Sequence, residues 1–227
     1  MSGIIWLGSY PRSGNTWFRI LLEHLLADAS APFDPRRPRV RNAAARELID
    51  SALGIETSDL THDEVDRLRP LAYERIARES RDEPLFLKTH DAWVEGADGR
   101  ITLSRSATRG AIYLIRDPRD VAVSLAFHLG CDLDDAIHRL TSADDALARH
   151  TSRGNVQTRQ KLLGWSGHVE SWTGPRGPSP YVVRYEDLVS APEETFAHAL
   201  LACGIDVSAS QVEAAVDATR FEKLRAI

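Results

Sequence analysis

The chain has 227 residues, 43% of them hydrophobic, so it can bury an ordinary core and fits one domain more easily than two. Lys and Arg number 28 against 33 Asp and Glu, and the formal net charge of -5 excludes a global positive field that would attract nucleic acid or an anionic membrane. Any anionic ligand must therefore be bound by local cations.

The two cysteines and the N-terminus narrow the class of protein further. Cys131 and Cys203 stand alone, without the spacing of a zinc site or a disulfide scaffold, which is typical of a reducing compartment. The first apolar run, residues 4–7, is too short for a signal peptide or a membrane span. We therefore expect a cytoplasmic protein with neither a nucleic-acid nor a membrane partner.

Strand and helix patterns alternate along the chain. Continuous apolar or β-branched runs predict strands at residues 4–8, 85–89, 111–115 and 181–185, typical of parallel strands covered on both faces. Amphipathic patterns predict helices at residues 16–26, 62–79, 121–127, 133–149, 160–172, 193–203 and 210–219. This order predicts one domain over residues 1–227. We expect a three-layer, doubly wound α/β fold, with a mainly parallel sheet of about four to five strands and helices on both faces.

A turn with the sequence GSYPRSGNTW, residues 8–17, joins the first strand to the first helix. Such a turn presents bare backbone N–H groups and the positive end of a helix dipole. Gly14 permits close approach of the backbone, while Arg12, Ser13 and Thr16 add guanidinium and hydroxyl donors. The pattern predicts an oxyanion-binding loop. The alternative is a structural turn whose helix is capped by Ser13.

The turn differs from the loop of a nucleoside triphosphatase. That loop reads GxxxxGK[ST], whereas Asn15 follows Gly14 here and Gly8 is one residue too far away. The lysine that grips the β and γ phosphates is therefore missing, and the chain has no GxGxxG fingerprint either.

The segment YPRSGNTW resembles the 5'-phosphosulfate loop of sulfotransferases that use 3'-phosphoadenosine 5'-phosphosulfate (PAPS), usually written YPKSGTTW. The resemblance implies the same P-loop-type fold and a loop that binds the co-substrate, with the tryptophan stacked on adenine. Arg12 stands where the family commonly has a catalytic lysine, and its guanidinium is a planar fork rather than a mobile point charge. The implied co-substrate-binding positions are Arg12, Ser13, Gly14, Asn15, Thr16 and Trp17.

A second match follows the third predicted strand. Residues 111–124, AIYLIRDPRDVAVS, resemble the family's 3'-phosphate signature, which implies that Arg116 and Ser124 bind that phosphate. An arginine at the end of a parallel strand also lies over the crevice where ligands bind in open α/β sheets. The alternative is a turn that caps a helix through Asp117 or Asp120.

Residues 85–90, LFLKTH, form an apolar strand that ends in a cation and an imidazole. A single His in this position is more often a structural hydrogen-bonding group than a catalyst. The family has a KTH segment here, which implies that His90 is the general base and that Lys88 contacts the transferred group. An imidazole with a pKa of ~6.5 can accept a proton near neutral pH.

Further similarity lies at GWSGHVESW (residues 164–172), VRYEDL (183–188) and ATRFEKL (218–224). It implies that Tyr185, Thr219 and Phe221 lie beside the base, whereas we interpret His168 as a packing residue. Family members continue into an RKGxxGxWK segment that closes over the 3'-phosphate. The chain ends at Ile227 without it, so we expect either a fragment or a less complete clamp.

The resemblance implies in-line transfer of a sulfuryl group from PAPS to a hydroxyl or amine of a small-molecule acceptor, with no metal. Two alternatives remain, a P-loop small-molecule kinase and a non-catalytic nucleotide-binding relative. We expect the acceptor pocket in the variable segments 31–53, 92–109 and 130–153. Phe33, Trp93 and Phe127 are candidates for its lining or for the core, and the core is favoured for Phe127.

Overall fold

A computed structural model describes residues 3–27, 38–80, 85–96, 98–149 and 156–220. Phe33 and Phe221 lie outside these described residues. The strands are β1 (Ile4–Ser9), β2 (Arg41–Asn42), β3 (Leu85–Thr89), β4 (Thr108–Ile115), β5 (Ala146–Leu147), β6 (Gln160–Lys161) and β7 (Tyr181–Arg184). The helices are α1 (Asn15–Leu26), α2 (Arg46–Leu53), α3 (His62–Glu79), α4 (Pro118–Leu129), α5 (Leu133–Thr141), α6 (Gly164–Thr173), α7 (Tyr185–Ser190), α8 (Pro192–Ala202) and α9 (Ala209–Ala218).

Five strands form a parallel sheet in the order β2-β3-β1-β4-β7, and β5 pairs with β6 in a separate antiparallel ribbon. The central strand is β1, whose six residues are all buried. Its register brings Gly8 opposite Thr89 of β3 and Ser9 opposite Leu114 of β4. The carboxyl ends of the three inner strands therefore meet at one edge of the sheet.

The side chains of β1 alternate between two apolar cores. Ile4 and Trp6 pack in a cluster with α2, α3 and α6, whereas Ile5 and Leu7 pack in a cluster with α1, α8 and α9. Successive residues of a strand point to opposite faces of a sheet, so these helix groups cover its two faces. The predicted three-layer, doubly wound α/β fold is confirmed.

The helix predicted over residues 133–149 is too long. Helix α5 ends at Thr141, and a turn follows in which the Asp145 backbone N–H donates to the Ser142 carbonyl over 3.2 Å. Short polar side chains in this stretch favour turns over helix. The chain then enters β5.

The helix predicted over residues 160–172 begins late, at Gly164. Leu163 and Gly164 both have left-handed φ angles, of 61° and 65°, which a continuous right-handed helix excludes. Residues 160–161 form β6 instead.

The last strand is less buried than predicted. Tyr181 and Val182 are exposed, because β7 lies at the edge of the sheet. Phe127, expected in the core, is 86% exposed on α4, while Trp93 is 4% exposed in the core beneath β1. Among the described helices, none combines the length and apolar character that a membrane crossing requires.

Candidate functional site

A cavity of about 530 Å³ opens at the carboxyl edge of the sheet. The segments that follow β1, β3 and β4 line it together, as expected for an open α/β sheet. Of the predicted site residues, those lining the cavity are Arg12, Gly14, Asn15, Thr16, Trp17, Lys88, His90, Arg116, Ser124 and Tyr185.

The loop after β1 is a tight turn tied to its own strand. Arg12 and Gly14 both have positive φ, 71° and 96°. The Asn15 side-chain amide donates to the Leu7 carbonyl and to Ser9 Oγ, each over 3.1 Å. Asn15 therefore holds the loop on β1 while it lines the cavity.

Helix α1 begins directly at this loop. Its first residue follows Gly14, and no side chain caps its N-terminus. Ser13 does not act as the cap that one interpretation of the sequence expected. The Ser13 hydroxyl is buried and has no hydrogen-bonding partner in the described structure. The start of α1 thus keeps free N–H groups beside an unused hydroxyl, as in an anion site.

Tyr185, the first residue of α7, packs against this loop. A Cβ at position 14 would lie 2.6 Å from Tyr185 Cδ2, so only glycine fits there. The Tyr185 ring meets Trp17 edge-on at 6.5 Å between centroids, and the Arg116 guanidinium lies over it at 4.4 Å. These aromatic side chains form one wall of the cavity.

The segment after β4 adds a second cation, Arg116, beside Arg12 of the first loop. Arg116 Nη1 donates to the Arg12 carbonyl over 3.4 Å, while its buried Nε has no partner in the described structure. Arg12 Nε donates to Ser124 Oγ on α4 over 3.0 Å. Asp117 caps α4 by accepting from the Arg119 N–H, so the capping alternative holds for Asp117, whereas the Asp120 carboxylate lies 3.8 Å from Arg116 Nη2.

Hydrogen bonds fix the ring of His90. Its Nδ1 lies 2.8 Å from the Ser9 carbonyl oxygen. Since a carbonyl can only accept, Nδ1 carries the hydrogen and Nε2 of the neutral ring is left as an acceptor. The His90 backbone N–H donates to Gln160 Oε1 over 3.0 Å, and His168 Nε2 donates to the His90 carbonyl over 3.1 Å. His168 is itself fully buried.

The charges around His90 depend on burial. Burial, followed by the nearby Lys88 charge, holds the pKa of His90 well below its usual value of 6.5. Burial, together with the positive charge of Arg19, lowers the pKa of Lys88 to about 8. At neutral pH the site therefore holds a neutral imidazole beside a lysine that is mostly protonated.

Two residues predicted to lie beside the base, Thr219 and Phe221, are not among the described residues that line the cavity. Thr219 is fully buried at the end of α9, where its hydroxyl accepts from Trp17 Nε1 over 3.4 Å. Thr219 therefore contacts Trp17 and does not line the cavity. Phe221 falls outside the described residues.

The motifs did not indicate the remaining lining of the cavity. It includes Tyr10, whose hydroxyl no motif assigns, together with side chains from α4, α5 and the β5–β6 ribbon. Those residues are Leu125, His128, Leu129, Arg139, Asp145, Leu147, Gln157 and Leu162. Part of this set falls within the predicted acceptor segment 130–153. Within the described ranges, no group of three or more His, Cys, Asp or Glu is arranged to hold a metal ion.

Comparison with known proteins identifies the family and the fold. The model of the sulfotransferase domain family matches residues 3–227. A mouse sulfotransferase, SULT7A1, complexed with PAP superposes with a TM-score of 0.59 at 16% identity, covering 99% of this chain and 67% of that one. Retinol dehydratase, in complex with androsterone and PAP, gives 0.52 at 20% identity, with coverage of 98% and 65%.

A third solved structure is the sulfotransferase domain of the Synechococcus PCC 7002 olefin synthase, with a TM-score of 0.51 at 15% identity, covering 100% of this chain and 80% of that one. At these identities the likeness concerns the fold. The chain spans about two thirds of the length of the mouse protein and of retinol dehydratase. No curated protein matches it by sequence.

Proposed function

Because the chain belongs to the sulfotransferase family, we propose that it transfers a sulfuryl group from PAPS to a hydroxyl or amine of a small-molecule acceptor. One observation carries the proposal. A single cavity is lined by a helix start without a side-chain cap, three arginines, a lysine and an imidazole whose free nitrogen is an acceptor.

The donor groups fit a nucleotide that is anionic at both ends. The loop around Gly14 and the start of α1 suit the 5'-phosphosulfate, and Arg116 with Ser124 suits the 3'-phosphate. Ser13 Oγ and Arg116 Nε are buried without partners in the described structure, and an anionic ligand in the cavity would satisfy such donors. The mouse sulfotransferase and retinol dehydratase were crystallised with PAP, which supports the same assignment.

Arg12 has a different setting from the catalytic cation that the resemblance implies. Its side chain is exposed and donates to Ser124, a residue that we assign to the 3'-phosphate. Its charge also lowers the pKa of His90. We assign it to binding of the nucleotide and to charge stabilisation near the bridging oxygen. Lys88, beside His90, is the better-placed cation for the transferred group.

In the proposed reaction His90 Nε2 takes the proton of the acceptor hydroxyl. A bond forms between the acceptor oxygen and sulfur while the bond from sulfur to the bridging phosphate oxygen breaks. The departing PAP keeps that electron pair, and Lys88 and Arg12 stabilise the charge that develops. As in phosphoryl transfer, the rate depends mainly on positioning and electrostatics.

Turnover of sulfur-labelled PAPS with a panel of phenols, alcohols and amines tests the proposal. Replacing His90 by Asn keeps a donor for the Ser9 carbonyl and removes the Nε2 acceptor. We expect turnover to fall by about 10²- to 10⁴-fold while PAP affinity by calorimetry stays within about threefold. The control is His138→Asn, an exposed residue of α5 that does not line the cavity. Unchanged turnover in His90→Asn, or transfer supported by ATP with Mg²⁺ and not by PAPS, would contradict the proposal.

A further inference from the structure

Part of the cavity lies outside the groups that we assign to the nucleotide. Here Leu125 of α4, Leu147 of β5 and Leu162 pack with Tyr10 in one apolar cluster. Each of them also lines the cavity. This apolar wall suits a carbon skeleton rather than a phosphate. We call the wall, together with the polar groups beside it, the acceptor end.

The acceptor end carries an uncompensated positive charge. The Asp145 carboxylate is 5% exposed and is paired with Arg149 Nη2 at 3.0 Å. The guanidinium of Arg139 also lines the cavity, and no hydrogen bond or ion pair joins it to any other described residue. The Asp145 carboxylate is thus already paired with Arg149, and Arg139, which has no such partner among the described residues, is available to a ligand.

A buried hydroxyl beside this charge also lacks a partner. Tyr10 is 1% exposed, and its Oη has no hydrogen bond in the described structure. Burial, and then Asp145, raise the pKa of Tyr10, while Arg139 lowers it, and Tyr10 packs in one cluster with Ala136 and Leu140 of the helix that carries Arg139. Tyr10 therefore remains a neutral donor at neutral pH. A buried donor that no protein atom accepts from is expected to meet a ligand atom.

We propose that the acceptor is a hydroxy acid with an apolar skeleton, whose carboxylate is held by Arg139 and by the Tyr10 hydroxyl. The acceptor hydroxyl lies at His90, and the skeleton packs against the leucines of the acceptor end. A guanidinium matches a carboxylate by two parallel hydrogen bonds, which fixes the orientation of the molecule as well as its charge. This inference rests on the proposed function and specifies its substrate class.

Matched pairs of acceptors test the inference. Each pair consists of a hydroxy acid and its neutral primary amide. The acids are para-hydroxyphenylpropanoate and ω-hydroxyalkanoates of several lengths. We expect the wild-type enzyme to use at least one acid about tenfold better in kcat/KM than its amide. Replacing Arg139 by Gln should remove that preference by raising KM for the acid about tenfold, with KM for PAPS unchanged. Tyr10→Phe, which removes only the hydroxyl, should also raise KM for the acid.

Arg75→Gln is the control, since Arg75 is an exposed arginine of α3 paired with Glu79 and does not line the cavity. Calorimetry of each acid and amide in the presence of saturating PAP separates the inference from the proposed function. A preference for the acid that Arg139→Gln abolishes supports the inference even if no sulfate is transferred. Turnover of PAPS without preference for any acid overturns the inference and leaves the proposed function intact. Absence of any acid-over-amide preference in both assays also overturns it.

Discussion

Lys88 is a half-buried cation whose charge depends on pH within the physiological range. Its pKa of about 8 follows from burial and from the positive charge of Arg19. His90, beside it, stays neutral until the pH falls well below 6.5. If both assignments hold, the active form has Lys88 protonated and His90 neutral, so activity is bounded by Lys88 at alkaline pH and by His90 at acid pH.

We therefore expect kcat/KM for PAPS to decline as the pH rises through about 8, because Lys88 loses its proton, and to decline at acid pH only well below the usual histidine pKa of 6.5, because the pKa of His90 is lowered by burial. Lys88→Arg keeps a positive charge at alkaline pH, so its alkaline decline should disappear even if its maximum rate is lower. Rates between pH 5 and pH 10 in constant ionic strength measure this. An identical alkaline decline in Lys88→Arg would show that another group titrates.

At this scale the sequence indicates which residues line the cavity better than it indicates their contacts. Lys88, His90 and Arg116 could be singled out because each lies in a short segment that resembles a family motif, and all three line the cavity. The hydrogen bond that fixes the His90 tautomer joins it to Ser9, which is 81 residues away, and no local pattern indicates such a pair. Arg139 is likewise an exposed helix residue, and no local pattern indicates that it lines the same cavity as Tyr10.

Among the structural elements, the turn before α1 depends on one glycine. Gly14 has a φ of 96°, and a Cβ there would lie 2.6 Å from the Tyr185 ring. Gly54, after α2, has a similar φ of 72° with nothing within 4 Å, so it is a matched control. Alanine at a left-handed position costs about 1–2 kcal/mol, and at position 14 the clash adds to this.

We expect Gly54→Ala to lower stability by about 1–2 kcal/mol and to leave PAP affinity unchanged. Gly14→Ala should lower stability further and weaken PAP binding at least about tenfold, because Tyr185 or the loop must move. Denaturant unfolding and calorimetry measure the two effects. Equal stability losses, with PAP affinity unchanged in both variants, would contradict this description of the loop.

A buried ion pair joins α3 to the end of β3. Arg69 is fully buried and donates through Nη1 and Nη2 to the two carboxylate oxygens of Asp91, and also to the Arg159 carbonyl over 2.9 Å. Because Asp91 is the residue after His90, this pair fixes the backbone that follows β3 and carries His90. Removing one partner of a buried pair leaves an unpaired charge in the core.

Replacing Arg69 by Met should therefore destabilise the protein by about 3–5 kcal/mol, and adding Asp91→Asn should recover part of the loss. On the same helix, Arg75 forms an exposed pair with Glu79. Arg75→Met should cost no more than about 0.5 kcal/mol. Urea unfolding of the wild-type protein and the three variants gives the comparison, and similar losses for Arg69→Met and Arg75→Met would refute the role given to the buried pair.

The secondary structure was predictable where the pattern is long or strongly apolar. The limits of α3 and β3 agree with the prediction to the residue, helped in α3 by the capping box between Thr61 and Glu64. The region of residues 141–163 was predicted poorly. Its ribbon consists of two-residue strands, which are too short to leave a pattern in the sequence. The left-handed φ that ends the ribbon begins at Leu163, a residue type that does not indicate a turn.

At the scale of the whole molecule, the site results from strand order. Because β1 lies between β3 and β4, the loop that holds Gly14 is flanked by the segments that carry His90 and Arg116. Parallel strands in this order bring motifs that are distant in sequence to one edge of the sheet. The nucleotide part of the cavity could therefore be predicted from the motifs and from the alternation of strands and helices. Tyr10 lies in the loop motif, but the leucines and Arg139 of the acceptor end lie outside every motif, so the sequence indicated only the region of residues 130–153.

The central claim is that one cavity binds an adenosine nucleotide by both its 5' and its 3' phosphate groups. Calorimetric titration with PAP and with adenosine 5'-phosphate, for the wild-type protein and for Arg116→Ala, tests it directly. We predict that the wild-type protein binds PAP about a hundredfold more tightly than adenosine 5'-phosphate, and that Arg116→Ala removes most of this difference. Equal affinity for the two nucleotides, or a preference for PAP that survives in Arg116→Ala, would contradict the account.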